Sequence, residues 1–190
     1  MKKNKILIFG SDGTLSQEII KLIDKNSIIL KVNRKKLDFN KKKMGIKISN
    51  ILRQTNPDII INSSGVLGNN ADSYENVFNT NFGSSWELIK FYLKRKKSKK
   101  IKIILVGSTS YKSGKKNYLL YSSSKSALHN LYLGAKETLK EKNIKLSIYH
   151  PGRMKTKMIE NVSFIKKDLG VSPSIVAKKI CKLIWKKKLL

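Results

Sequence analysis

A serine, a tyrosine and a lysine stand at chemically useful spacing in the stretch IKIILVGSTSYKSGKKNYLLYSSSK, residues 101–125. The apolar run Ile101–Val106 reads as a buried strand, and Ser108 follows its end. Tyr121 comes thirteen positions later, with Lys125 at i+4 on an expected helix. Residues four apart share a helix face. If that helix packs beside the strand, the three side chains meet at the carboxyl edge of a sheet, where open α/β sheets bind ligands. A phenol titrates near ~10, so Tyr121 needs the Lys125 ammonium beside it to favour its phenolate. The expected chemistry is proton transfer. Tyr121 gives a proton to a carbonyl oxygen while hydride arrives at the carbon, or takes it back in the reverse direction, and Ser108 holds the same oxygen by hydrogen bond.

The Tyr–Lys spacing alone carries little, because lysine is abundant: Tyr92/Lys96, Tyr111/Lys115 and Tyr132/Lys136 repeat it. Only Tyr121 has a serine thirteen residues back at the end of an apolar strand. The equivalent positions are Asn79, Ser98 inside a basic run, and Leu119.

The elements that must position this trio follow from the apolar patterning. Lys5 to Phe9 reads as a buried first strand, and Gly10-Ser11-Asp12-Gly13-Thr14-Leu15-Ser16 leads from it into a helix carrying Leu15, Ile19, Ile20, Leu22 and Ile23. Strand, glycine turn and helix form the context in which a glycine motif binds a dinucleotide: Gly10 permits the tight turn, Gly13 lets backbone approach pyrophosphate, and the helix N-terminus faces the anion. Ser16 stands where a third glycine is usual, which either loosens helix packing or is neutral. A glycine turn without a ligand is the alternative.

Ser27 to Val32 is the expected second strand, ending in Asn33-Arg34-Lys35-Lys36. An acid here would bind the ribose hydroxyls of NAD, whereas arginine suits the 2′-phosphate of NADP. No acid is present, so NADP is favoured, with Arg34 contacting the phosphate and Asn33 helping; the alternative for Arg34 is a surface cation. Leu37 to Phe39 is read as a short third strand, with Asp38 near the adenine edge. A helix is expected around Ile46 to Gln54. A fourth strand, Asp58 to Ile61, ends in Asn62-Ser63-Ser64-Gly65, whose small residues let backbone lie against the cofactor. A helix from Asp72 to Lys94 carries Asn79, Asn81 and Gly83 in its middle. Such residues cost helix stability, so Asn81 either has work at the site or is an exposed position. A helix from Leu119 to Glu141 precedes a sixth strand, Lys145 to Tyr149, then His150-Pro151-Gly152 and Thr156. His150 reads as a packed strand-end residue. A last amphipathic helix begins at Pro173.

With 190 residues and 40% hydrophobic content, the chain is expected to form one domain, residues 1–190. The single cysteine, Cys181, excludes an internal disulfide, and no apolar stretch reaches the ~20 residues of a membrane span. A cytoplasmic setting is expected, and no metal is expected at the site. The net charge of +29 invites a nucleic-acid reading. The excess is nearly all lysine, however, with arginine only at 34, 53, 95 and 153, and arginine is the usual reader of bases. That argues for a solvated surface and against a specific nucleic-acid partner.

With these residues assembled, the chain resembles the short-chain dehydrogenase/reductase family over nearly its whole length. The matching motifs are Gly10-x-x-Gly13, Asn62-Ser-Ser-Gly65, Asn81 with Gly83, Ser108 with Tyr121 and Lys125, and Pro151-Gly152 with Thr156. The resemblance implies a doubly wound Rossmann α/β fold with about six parallel strands in the order 3-2-1-4-5-6 and helices on both faces. It also implies an NADP-dependent reduction of a carbonyl to an alcohol, or the reverse. By the same likeness Asn81 belongs to a water relay behind the lysine, Lys125 and Tyr121 also contact the cofactor, Pro151 and Gly152 border it, and Thr156 touches the carboxamide. Pairing of copies through the two long helices is a further family-level expectation. Members usually continue into a seventh strand, whereas this chain stops at Leu189-Leu190, which suggests a minimal or truncated form.

Residues 108–125 also resemble the reductase domains joined to cytidylyltransferases that form CDP-ribitol precursors. That likeness points to a phosphorylated ketose or other sugar-type carbonyl, with Lys112, Lys115 and Lys116 over the substrate; a plain solvated lysine loop is the alternative. Two other functions stay open: a cofactor- or sugar-nucleotide-binding module without turnover, and a binder of nucleic acid or anionic membrane driven by charge.

Overall fold

Three of the apolar runs are buried on both faces, as strands inside a parallel sheet must be. The structure is a computed structural model that describes residues 3–68, 73–160 and 170–185. It places β1 (Lys5–Phe9) next to the edge strand β2 (Ile28–Val32) on one side, with β3 (Ile59–Asn62), β4 (Ile101–Val106) and β5 (Ile144–Tyr149) following on the other. All pairings are parallel, in the order β2-β1-β3-β4-β5. The registers align the strand ends that carry the motifs: Phe9 lies opposite both Val32 and Asn62, and Val106 lies opposite Tyr149.

Alternation along these strands divides the core in two. Leu7, Phe9, Ile60, Ile103 and Leu105 face a layer containing α2 (Met44–Thr55), α4 (Ser84–Leu93) and α5 (Leu119–Glu141). Ile6, Ile8, Ile59, Ile61, Ile104 and Val106 face α1 (Thr14–Leu22) and α7 (Pro173–Trp185). This is the doubly wound arrangement, with its ligand edge where the strands end. Among the described residues, no helix is long and apolar enough to cross a membrane.

Two expectations need correction. Leu37–Phe39 is not a strand, so the sheet ends at β2 and the observed order is the expected one without its third member. The Leu37 N–H returns to the Asn33 carbonyl at 2.9 Å, and Asn33 Oδ1 accepts the Lys36 N–H at 3.0 Å. The chain therefore turns where a strand would run straight. Leu37 is buried by this turn and Phe39 packs near Phe9, with ring centres 6.4 Å apart, so the alternating apolar pattern reflects packing without pairing.

The helix expected from Asp72 to Lys94 is also not continuous. Asp72 lies outside the described residues; from there the chain forms α3 (Tyr74–Phe78), a π-helical turn at Asn79–Gly83, and then α4. The widened turn falls on the polar and glycine residues that fit a regular helix poorly, and such turns gather at functional sites. Asn81 sits inside it, 1% exposed, which rules out a surface role. A short helix, α6 (Lys157–Glu160), follows Thr156.

Candidate active site

The carboxyl ends of the strands border a cleft of about 510 Å³. At its start, Gly10 has φ +72, and a Cβ there would lie 2.9 Å from the Ser64 backbone. Both the left-handed conformation and the contact with the loop after β3 require glycine. Gly13 has an ordinary φ of −66 and serves as the N-cap of α1, with no side-chain cap. The first N–H groups of α1 are thus turned to the cleft at Thr14, Leu15 and Ser16, an arrangement suited to an anion. Ser16 is fully buried and its hydroxyl bonds that of Ser63, which donates to the Phe9 carbonyl at 3.0 Å. The residue in the usual third-glycine position therefore ties α1 to the loop after β3, and does not loosen the packing.

Gly10, Asp12, Gly13, Thr14 and Leu15 line the cleft, as do Asn33, Arg34, Ser63, Ser64, Gly65, Pro151, Gly152 and Thr156. Four expected site residues do not line it. Ser11 is fully buried, its carbonyl accepting from Gln17 Nε2 at 2.6 Å. Asn62 donates to the Ser84 and Ser85 hydroxyls at 3.0 and 2.9 Å and accepts the Ser64 N–H at 3.2 Å. Asp38 lies 3.8 Å from the Arg34 guanidinium. Asn81 accepts the Val66 N–H at 2.9 Å and donates to the Val66 carbonyl and the Ser124 hydroxyl, each at 3.0 Å. Asn62 and Asn81 thereby fix the loop of Ser63 to Val66 from behind.

The cleft carries groups that suit a dinucleotide. The Ser64 hydroxyl is buried without a hydrogen-bond partner, which leaves a polar group for a ligand to satisfy. The opening of α1 offers N–H groups to a pyrophosphate, and Arg34, with a side chain 73% exposed, stands at the end of β2. The donor set fits the group.

At the other end of the cleft, α5 packs on β5 and on the turn Thr109–Lys112, which brings its first turns to Ser108. Ser108, Tyr121 and Lys125 all line the cleft; the Ser108 hydroxyl accepts the Ser110 N–H at 3.1 Å and is close enough to the Tyr121 phenol to act on its titration. Lys125 is 3% exposed; its Nζ donates to the Val106 carbonyl at 3.2 Å and lies 5.7 Å from the Tyr121 ring centre. Burial lowers the Lys125 ammonium to about 8. The Tyr121 phenol moves the opposite way from the sequence-based expectation. Burial raises it, the neighbouring Ser108 hydroxyl lowers it only in part, and Tyr118 raises it further. A desolvated phenol favours its neutral form, so Tyr121 is protonated at neutral pH and suited to donate.

Other groups at this end carry no spacing signal. Tyr118 meets Tyr121 edge-on at 6.0 Å, and Leu67, Met154, Met158 and Ile159 supply apolar wall. Of the three loop lysines, Lys115 lines the cleft, whereas Lys112 and Lys116 do not; Arg153 and Lys157 add further positive charge. His150 packs at the end of β5, as its sequence position suggests, against Tyr111 and His129.

Residues 5–165 match a sequence model described as short chain dehydrogenase. A similar curated protein is the 3-oxoacyl-(acyl-carrier-protein) reductase FabG of Buchnera aphidicola subsp. Acyrthosiphon pisum (strain APS). It is 29% identical over 116 residues, covering 57% of this chain and 48% of that protein. The chain spans about half the length of the curated relatives it matches. Among solved structures, a short chain dehydrogenase from Burkholderia cenocepacia J2315 in complex with NADP is similar in fold, with TM-score 0.80 at 14% identity over 98% of this chain and 86% of that one. A short chain dehydrogenase family protein from Francisella tularensis subsp. tularensis SCHU S4 also has TM-score 0.80, at 19% identity over 98% and 93% of the two chains.

Proposed function

Because the chain belongs to the short chain dehydrogenase family, we propose that it is an NADP(H)-dependent oxidoreductase that reduces a carbonyl to an alcohol. The observation that carries this reading is the convergence of Ser108, Tyr121 and buried Lys125 on the same cleft as the uncapped start of α1. A bound nicotinamide dinucleotide would supply the hydride. Thr14 and Leu15 offer backbone N–H groups to its pyrophosphate, and Ser64 offers the unpartnered hydroxyl. Arg34 favours a 2′-phosphate, since its exposed ion pair with Asp38 is weak enough to exchange, and the Burkholderia structure of the same fold holds NADP.

In the chemical step Ser108 holds the carbonyl oxygen and the neutral Tyr121 phenol delivers its proton to it. Lys125 places a positive charge near the oxygen as negative charge develops. Asn62 and Asn81 keep the loop beneath the site in position.

The substrate we favour is a phosphorylated ketose or related sugar-type carbonyl. Lys115 supports it, because it borders the cleft beside Ser110 and Tyr118, where an anionic substrate group would reach. A 3-oxoacyl substrate is the second reading, favoured by the apolar wall of Leu67, Met154, Met158 and Ile159 and by the activity named for the Buchnera relative.

NADPH consumption with a panel of ketose phosphates and 3-oxoacyl thioesters tests both. The reading expects reduction of one class, abolished by Tyr121→Phe in protein that still binds NADPH. Binding without turnover across the panel would favour a cofactor-binding module, and absence of dinucleotide binding would contradict the reading altogether.

A further inference from the structure

Behind Ser108 lies a cluster that the proton-transfer scheme does not use. His150 follows β5, and its Nδ1 lies 3.2 Å from the Ser108 amide nitrogen and 3.1 Å from the Ser108 carbonyl oxygen. Its Nε2 lies 3.0 Å from His129 Nδ1 on α5. The Tyr111 ring packs on both imidazoles, 4.1 Å from each ring centre. Gly107 makes room for the arrangement, since a Cβ there would fall 2.3 Å from His150 Nδ1.

The hydrogen-bond accounting selects one tautomer. The Ser108 carbonyl already accepts the Tyr111 N–H at 3.2 Å, whereas the Ser108 N–H has His150 Nδ1 as its partner among the described residues. Buried N–H groups are rarely left unpaired. His150 Nδ1 must therefore be the acceptor, which puts the proton on Nε2 and makes His129 Nδ1 the next acceptor. His129 then carries its own proton on Nε2. The neighbouring N–H···O=C bonds, Gly107 to Tyr149 at 2.8 Å and Thr109 to Pro151 at 3.0 Å, leave Ser108 as the link of this strand pair completed by a side chain.

We propose that His150 and His129 are positioning residues: a neutral two-imidazole relay that holds the Ser108 backbone, and through it the Ser108 hydroxyl, against Tyr121. This rests on the reading of Ser108 as the hydroxyl that holds the substrate oxygen. Protonation of His150 at Nδ1 turns its acceptor into a donor facing the Ser108 N–H, so the relay works only while His150 is neutral. The groups around it keep it so. Burial, His129, Lys125 and Lys112 all disfavour the imidazolium, opposed by the Ser108 backbone contact, and Tyr111 presents only its ring faces.

Two measurements on the whole chain test the relay. Long-range proton–nitrogen correlation spectra of the wild-type histidines read the tautomer without any substrate; the relay requires His150 protonated at Nε2 and bare at Nδ1, and a proton on Nδ1 at neutral pH overturns it. Kinetics with NADPH and diacetyl as probe carbonyl read the consequence. His150→Leu is expected to lower kcat about tenfold or more while the Kd for NADPH stays within about twofold. His150→Asn, whose carboxamide oxygen can accept the Ser108 N–H, recovers most of that loss and removes the imidazole limb from the acid side of the kcat profile. His129→Leu moves that limb to higher pH, because a neighbour that disfavours the imidazolium is gone. Wild-type kcat in folded His150→Leu, or an unchanged acid limb in His150→Asn, overturns the proposal. A wild type that binds no dinucleotide counts against the oxidoreductase reading instead, while the tautomer still judges the relay.

Discussion

The Lys125 ammonium sits 5.7 Å from the centre of the Tyr121 ring and gives its hydrogen bond to the Val106 carbonyl at 3.2 Å. The lysine is therefore not bonded to the phenol it was expected to activate. Burial governs both groups, pushing the phenol up and the ammonium down. The protonated tyrosine this produces is the form that gives a proton in carbonyl reduction.

Rates in the two directions should respond oppositely to pH. Reduction needs the neutral phenol, and because the Tyr121 pKa is raised, that form persists through neutral and mildly alkaline pH. Alcohol oxidation needs the phenolate and should be slow at neutral pH and climb with alkalinity. Initial rates of both reactions across one pH series check this; a neutral-pH optimum for oxidation would show that the phenol is depressed instead.

Lys125→Met should stabilise the fold at neutral pH. A lysine lowered from 10.5 to about 8 binds fewer protons folded than unfolded between those values, so wild-type stability rises with pH across that window. Below it the buried charge costs about 3 kcal/mol, an upper figure for the gain in Lys125→Met because the Val106 carbonyl loses its donor. The advantage of the variant should shrink as pH rises from 7 toward 10.5. Urea denaturation at the two ends reads the sign, and a gap that widens with pH contradicts it.

Gly10→Ala and Gly13→Ala should differ sharply. The first forces a Cβ onto a φ of +72 and within 2.9 Å of Ser64 backbone, at a cost of about 1–3 kcal/mol. The second places a Cβ 3.3 Å from the Gly10 carbonyl at an ordinary φ. Denaturation midpoints and NADPH titrations of both variants separate folding from binding; equal losses would contradict the argument.

Arg34→Ala should weaken NADPH about tenfold, the worth of a charge-assisted hydrogen bond, and leave NADH binding unchanged. Equal weakening of both dinucleotides would assign Arg34 a role other than phosphate recognition.

Much of the frame was legible because parallel-strand burial writes long apolar runs. Ile101–Val106 and Leu119–Glu141 have the bounds expected of them, and their junction explains how Ser108 comes to lie beside Tyr121. Leu37–Phe39 misled because alternation records which side chains are buried, not whether the backbone pairs. The π-turn at Asn79–Gly83 showed in sequence only as misplaced polar residues, since its cause is the loop that Asn81 must reach. His129 was invisible: one histidine in a long helix carries no sign of a partner 21 residues on. The Tyr121 phenol was misjudged because spacing predicts proximity to a cation, while desolvation depends on everything packed around it.

The most direct test is a paired experiment on wild type and Tyr121→Phe: calorimetric titration with NADPH, then NADPH consumption with the carbonyl panel. The account predicts the same NADPH affinity in both proteins and carbonyl reduction only in the wild type. Undiminished reduction by Tyr121→Phe, or no NADPH binding by the wild type, would contradict it.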